Sequence, residues 1–287
     1  MQDLQYLEIN LKNLKHNINN LKSLLNNNTM FMAVVKANAY GHGIVECARA
    51  AVDGGVNWLG VVNLNEALIL RKNNVKAPIL VLGFVDSNDF SIAANNNISV
   101  PIFDIAQVEY LQNFGHQLSK KLKVHLKIET GLNRLGFTTI RNSVLDSSVI
   151  RNAYSVLNKS CKIIVEGIYS HLSSVEEDLY TTQGQNDLFY DVINDLKKYD
   201  IDIPIKHIAA SAAAMLLPET HYDMVRCGIS IYGLWPSDEV KKAFIFSHNN
   251  TDFLKPVLSY KTKIVQTKNV NRNEKIGYGR THTVKNN

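Results

Sequence analysis

Lys36 closes a short apolar run, Phe31-Met32-Ala33-Val34-Val35, made of the small and β-branched residues that build strands buried on both faces. Such strands exclude lysine unless the amine is paired or chemically employed. An amine at the mouth of a buried strand loses hydration. That favours its neutral form and suits it to Schiff-base chemistry with a carbonyl. Tyr40 follows, then a histidine between Gly41 and Gly43, residues that allow a tight turn and close approach of backbone to a ligand. Alone, the segment reads more simply as a strand ending in a solvated lysine and a glycine turn.

The elements around it change that balance. Alternation and apolar runs predict strands at residues 4–9, 31–35, 58–62, 78–82, 98–102, 123–128, 162–169, 205–208 and 224–231, the last broken by Gly228. Helical spacing predicts helices at 11–25, with Asn10 as its cap, and at 44–52, 65–72, 87–95, 105–113, 143–157, 181–198 and 211–217. Eight strand–helix units describe an α/β protein with a (β/α)8 TIM barrel over residues 10–240. A doubly wound sheet is the alternative, and it usually needs fewer strands. After Trp235-Pro236, residues 257–267 and 275–283 alternate at period two around a polar turn at 271–274. They predict an incomplete C-terminal antiparallel β domain over residues 241–287, joined by residues 1–9.

Barrels of this kind carry their chemistry at the C-terminal ends of the strands. There the sequence places Lys36 and Tyr40 after strand one, Lys127 within strand five and Arg134 after it. His171 follows strand six, Ser211 follows strand seven, and Arg226, Gly228 and Ile229 lie on strand eight. A serine opening a helix and a glycine break on the last two strands suit a phosphate. A lysine, two arginines, a histidine and a phosphate cradle on one rim suit an anionic cofactor with a carbonyl to capture, and pyridoxal 5'-phosphate fits. Each residue has a plainer role open to it. His171 reads equally as a core histidine, Arg226 as a rim ion pair, Ser211 as a helix cap, Arg134 as a solvated loop residue, and Lys127 as a side chain under a helix. Their joint occurrence at five strand ends favours the cofactor.

Composition narrows the classes. The 287 residues are 45% hydrophobic and 20% charged, enough to bury a barrel-sized core. The net charge of +5 is spread out, and the densest basic cluster, Lys120, Lys121 and Lys123, has no aromatic platform, so no nucleic-acid partner is expected. Cys47, Cys161 and Cys227 are widely spaced and form no metal pattern. No signal-like start and no membrane-length apolar run are present, and a cytoplasmic protein without a membrane partner is expected.

The segments AVVKANAYGHG, HLKIETGLNRLGF, GIYSHLSS, HIAASAA, MVRCGISIYGL and EKIGYGRTHT occur in the order and spacing that resemble the alanine racemases, fold-type III pyridoxal-phosphate enzymes. The resemblance spans essentially the whole chain. It implies a barrel, a C-terminal β domain, a head-to-tail homodimer, and alanine as the substrate, with D-alanine supplied to peptidoglycan. It implies that Lys36 carries the cofactor and that Tyr40, Ser211, Gly228 and Ile229 hold its phosphate. His171 would pack on the pyridine, Arg226 would face its nitrogen and Arg134 its phenolic oxygen. Lys127 would be carbamylated and brace Arg134, and Tyr278 would be a second catalytic base from the other subunit. Two residues depart from the family pattern: Glu129 replaces an aspartate, and Ala210 replaces an asparagine before the serine. Members also continue past the position of Tyr278 with a methionine–aspartate segment and a further tyrosine, so a truncated C-terminal domain is expected. A non-catalytic pyridoxal-phosphate-binding barrel and an inactive remnant are the alternative functions.

Overall fold

A computed structural model describes residues 4–141 and 144–286. Its chain divides into a larger unit, Ile9–Val257, and a smaller one made of Met1–Glu8 with Leu258–Asn287.

The larger unit is built on eight parallel strands: β1 (Met30–Val34), β2 (Trp58–Val61), β3 (Ile79–Val81), β4 (Val100–Ile102), β5 (Leu122–Glu129), β6 (Ile163–Tyr169), β7 (Ile205–His207) and β8 (Met224–Cys227). Ladders join β8, β1, β2 and β3 in that order, and β4, β5, β6 and β7 in that order. Pairs of backbone bonds close both seams. Val81 N–H donates to the Ser99 carbonyl at 3.0 Å and Ser99 N–H to the Ile79 carbonyl at 2.9 Å. On the other side Asp223 N–H donates to Lys206 at 3.0 Å and Arg226 N–H to Ala209 at 3.1 Å. The sheet therefore returns to its own start, and the unit is a (β/α)8 barrel.

Strand alternation sorts the side chains into two sets. Phe31, Ala33, Leu59, Val61, Ile79, Val81, Val124, Leu126, Val225 and Cys227 pack outward under the helices in one large buried cluster. Met32, Trp58, Leu80 and Met224 form a separate cluster inside the barrel. One irregularity matters for the site. Val165 pairs with Val124 and Gly167 with His125, so Glu166 is an extra residue in β6. A bulge of this kind re-aims a strand. Here Ile163 and Val165 join the outer cluster before it and Ile168 after it.

Helix starts follow their capping residues. Asn10 accepts from the N–H groups of Lys12 and Asn13, Asn63 from Glu66, Asp104 from Ala106 and Asp178 from Thr181. The first helix, Leu11–Ser23, also clasps a distant segment. The side-chain amides of Asn13, Asn17 and Asn20, spaced to share one face, donate to the carbonyls of Pro256 (2.8 Å), Lys255 (2.8 Å) and Phe253 (2.7 Å).

Four features differ from the sequence reading. The eighth strand stops at Cys227, because Gly228 turns the chain into a one-turn 3-10 helix, Ile229–Tyr232. The helix expected at 143–157 is Ser148–Asn158, and Ser143, where it was expected to begin, lies outside the described residues. Asp238–His248 forms a helix where no element was expected; Ser237 caps it, and its Phe244 ring lies 4.3 Å from that of Phe253. In the smaller unit the strand Gln5–Ile9 pairs with Leu258–Thr262, while Lys275–Ile276 pairs antiparallel with His282–Thr283. The two long alternating stretches thus shorten and do not pair with each other. Among the described residues no helix is long and apolar enough to cross a membrane, and no group of three His, Cys, Asp or Glu side chains could hold a metal.

Candidate active site

A cavity of about 530 Å³ opens at the C-terminal ends of the barrel strands. Lys36, Tyr40, Lys127, Arg134, His171, Ser211, Arg226, Gly228 and Ile229 all line it. The structure therefore brings nine of the sequence-derived candidates into one pocket. Tyr278 lies in the smaller unit, on a one-turn 3-10 helix, with its ring fully in solvent.

The lysine corner depends on an unusual backbone. Ala37, Asn38, Ala39 and Tyr40 all have φ between 52° and 56°, a complete left-handed turn directly after Lys36. L-residues resist this conformation by roughly 1–2 kcal/mol each, so it persists only where its surroundings over-determine it. They do so here. Asn38 N–H donates to Glu66 Oε1 at 3.0 Å, and the other oxygen of Glu66 accepts from Val62 N–H at 3.0 Å. The Asn38 side chain accepts from Ile44 N–H at 2.9 Å, and His42 Nδ1 lies 2.9 Å from the Ala39 carbonyl. Burial and the Arg134 charge hold the Lys36 amine below its ordinary pKa, against a smaller pull upward from Glu66.

Across the cavity lies an anion corner. Ser211 opens the helix Ser211–Leu216, and its hydroxyl accepts from Gly228 N–H at 3.1 Å. The Tyr40 hydroxyl sits so close to Gly228 that a Cβ there would come within 2.6 Å of it. Two hydroxyls and the backbone at Gly228 and Ile229 therefore meet where no side chain at position 228 would fit.

Arg226 forms the third corner. It is buried, and burial lowers its pKa to about 10, so it remains charged at neutral pH. Its Nη2 donates to the carbonyls of Ser170 and Ile208, both at 2.8 Å, and approaches His171 Nδ1 at 3.2 Å. Its Nη1 lies 2.9 Å from His207 Nδ1. A guanidinium has five N–H bonds, so donors remain for a ligand in the cavity. Burial and the surrounding arginine and lysine charges hold His171 neutral, with a pKa near 3. At the mouth, burial and the Arg134 and Arg226 charges lower Lys127 to about 8. Glu129 accepts from Gly131 N–H at 2.6 Å and Arg134 N–H at 3.2 Å, shaping the loop that presents Arg134.

Sequence reasoning missed Glu66, Tyr169, His125 and His207. Tyr169 lines the cavity with Lys127 Nζ 5.4 Å from its ring centroid and the Arg226 guanidinium 5.5 Å from it. Its place two residues before His171, at the end of a strand, was the available signal. The donor set suits an anionic carbonyl compound: a depressed lysine, an anion corner and a buried, charged guanidinium on one cavity.

Comparison with known proteins agrees with this geometry. The family described as alanine racemase, N-terminal domain, matches residues 9–236. Alanine racemase 2 of Caldanaerobacter subterraneus subsp. tengcongensis is 36% identical over 280 residues, covering 97% of this chain and 68% of the relative. The crystal structure of alanine racemase from Bacillus anthracis with bound L-Ala-P superposes with a TM-score of 0.83 at 28% identity, over 100% of this chain and 71% of that one. A histidine racemase from Leuconostoc mesenteroides subsp. sake superposes with a TM-score of 0.82 at 26% identity, over 99% and 72%.

Proposed function

The chain belongs to the alanine racemase family, and on that footing we propose that it interconverts L-alanine and D-alanine with pyridoxal 5'-phosphate held in the barrel cavity. The observation that carries this is the convergence of a depressed lysine, an anion corner and a buried guanidinium on one cavity.

Lys36 would hold the cofactor through its amine. Tyr40, Ser211 and the backbone at Gly228 and Ile229 would hold the phosphate, and Arg134 would face the phenolic oxygen. When bound, the cofactor supplies a conjugated ring that draws electrons from the substrate's α-carbon. Arg226 limits that draw, because a guanidinium does not readily give its proton to a ring nitrogen. By keeping that draw weak, Arg226 would favour return of the α-proton over transamination. Lys36, with its depressed pKa, is fitted to hold or release the α-proton on one face. Racemisation needs a second group on the opposite face, and we assign Tyr278 of a second copy, which makes the functional species a homodimer. The larger unit, Ile9–Val257, would then be the cofactor domain, and Leu258–Asn287 with the N-terminal segment part of a β domain. Lys127, with its pKa near 8, keeps enough neutral amine to take up carbon dioxide.

Purified protein incubated with pyridoxal 5'-phosphate and borohydride should carry the label on Lys36, and L-alanine should yield D-alanine. Label without D-alanine would instead favour a cofactor-binding barrel with no racemase activity. Histidine and serine belong in the same assay, since a histidine racemase shares the fold.

A further inference from the structure

Behind Arg226, on the side away from the cavity lysine, the barrel interior holds an unbroken line of polar groups. Arg226 Nη1 lies 2.9 Å from His207 Nδ1, and His207 Nε2 lies 3.0 Å from His125 Nδ1. His125 Nε2 lies 3.4 Å from Glu166 Oε2, which also accepts from the Ser99 hydroxyl. Both imidazoles have no solvent exposure. Two features make room for this line. Glu166 is the extra residue of the β6 bulge, and a Cβ on the next residue, Gly167, would collide with the His125 ring.

The ends of the line set its direction. A guanidinium only donates, so the His207 nitrogen facing Arg226 must be bare. The His207 proton is then on Nε2, where it can be given only to a bare Nδ1 on His125. That leaves the His125 proton on Nε2, facing a carboxylate. The last contact is too poorly aligned for a hydrogen bond, and Nε2 has no other partner among the described residues. It is an electrostatic attraction, and it still rejects a bare nitrogen lone pair. We propose that Ser99, Glu166, His125 and His207 form a positioning relay: it fixes both histidines as Nε2–H tautomers and thereby holds the Arg226 guanidinium in one orientation toward the cavity. No proton travels along it, because the Arg226 guanidinium does not readily release one. Its role toward the cofactor rests on the function proposed above; the tautomers do not.

Full-length protein labelled with 15N-histidine tests this without cofactor. Long-range 1H–15N spectra should show His125 and His207 as neutral Nε2–H tautomers. Glu166→Leu leaves the Arg226 end to fix the tautomers but loosens the line, and it should weaken pyridoxal 5'-phosphate binding about tenfold, equivalent to about 1.4 kcal/mol. Glu166→Gln keeps a carbonyl acceptor and should preserve the tautomers. An Nδ1–H tautomer at either position in the wild-type protein overturns the relay, and that measurement stands even if Glu166→Leu fails to fold. Unchanged cofactor affinity in folded Glu166→Leu overturns it as well. If the wild-type tautomers are as stated but Lys36 takes no cofactor, the functional reading fails and the relay survives.

Discussion

The inside of the barrel is two materials. The side built by β8, β1, β2 and β3 is filled by Met224, Met32, Trp58 and Leu80. The side built by β5 to β8 carries His125, Lys127, Glu166, Tyr169, His207 and Arg226. They meet edge to face, with Trp58 and His125 ring centroids 5.4 Å apart. Contacts on the apolar side have no direction, so shape and volume decide their value. Contacts on the polar side have a donor and an acceptor, so one misplaced proton or methyl propagates along the line. The first material holds the barrel together, and the second aims a charge.

That contrast is sharpest if function and stability can be moved separately. Lys36→Ala should abolish borohydride labelling and reduce racemisation by about a thousandfold or more. It should shift the urea midpoint little, because the amine is at the cavity and outside both cores. Gly167→Ala should strike stability and, through the relay to Arg226, cofactor binding together. Its new methyl collides with His125, and the overpacking should cost about 1–3 kcal/mol of unfolding free energy, measured by chemical denaturation.

Acid should unfold the polar side first. Burial is the largest cause holding His207 well below its ordinary pKa and His171 near 3, so both are neutral when folded. In the unfolded chain they take up a proton near pH 6.5. Unfolding therefore binds protons below that pH, and stability falls as pH drops from about 6.5 toward 3. The loss should be roughly 1–2 kcal/mol per histidine between pH 7 and pH 5. His207→Asn should flatten the profile in that window; an equally steep profile would mean that His207 is not the group being charged. The smallest effect is expected on the apolar side, where Met224→Leu keeps volume and chemistry and should cost less than about 1.5 kcal/mol by the same denaturation measurement.

How legible each material was follows from its physics. Burial on both faces leaves apolar runs, so the eight strands and the lysine at the end of the first could be read directly. The rim residues could be read because each lies at or just past the C-terminal end of a strand. The polar interior could not. His125 and His207 occupy ordinary alternating positions, and the bulge that shifts parity at Glu166 has only Gly167 as a trace. The left-handed turn after Lys36 was also hidden, since Ala-Asn-Ala-Tyr carries no glycine and its conformation is imposed by Glu66, far along the chain. The helix Asp238–His248 was overlooked although Ser237 followed by Asp238 and Glu239 is a start signal.

The asparagine clasp between the first helix and residues 253–256 bears on how the protein is made. Asn13 and Pro256 are 243 residues apart. A ribosome adding about 5–20 residues per second needs roughly 12–50 s to cover that distance. Throughout that interval the amides of Asn13, Asn17 and Asn20 lack the carbonyls of Pro256, Lys255 and Phe253 as partners. The nascent barrel must therefore wait, with its first helix unlatched, until some of the last residues of the larger unit leave the exit tunnel.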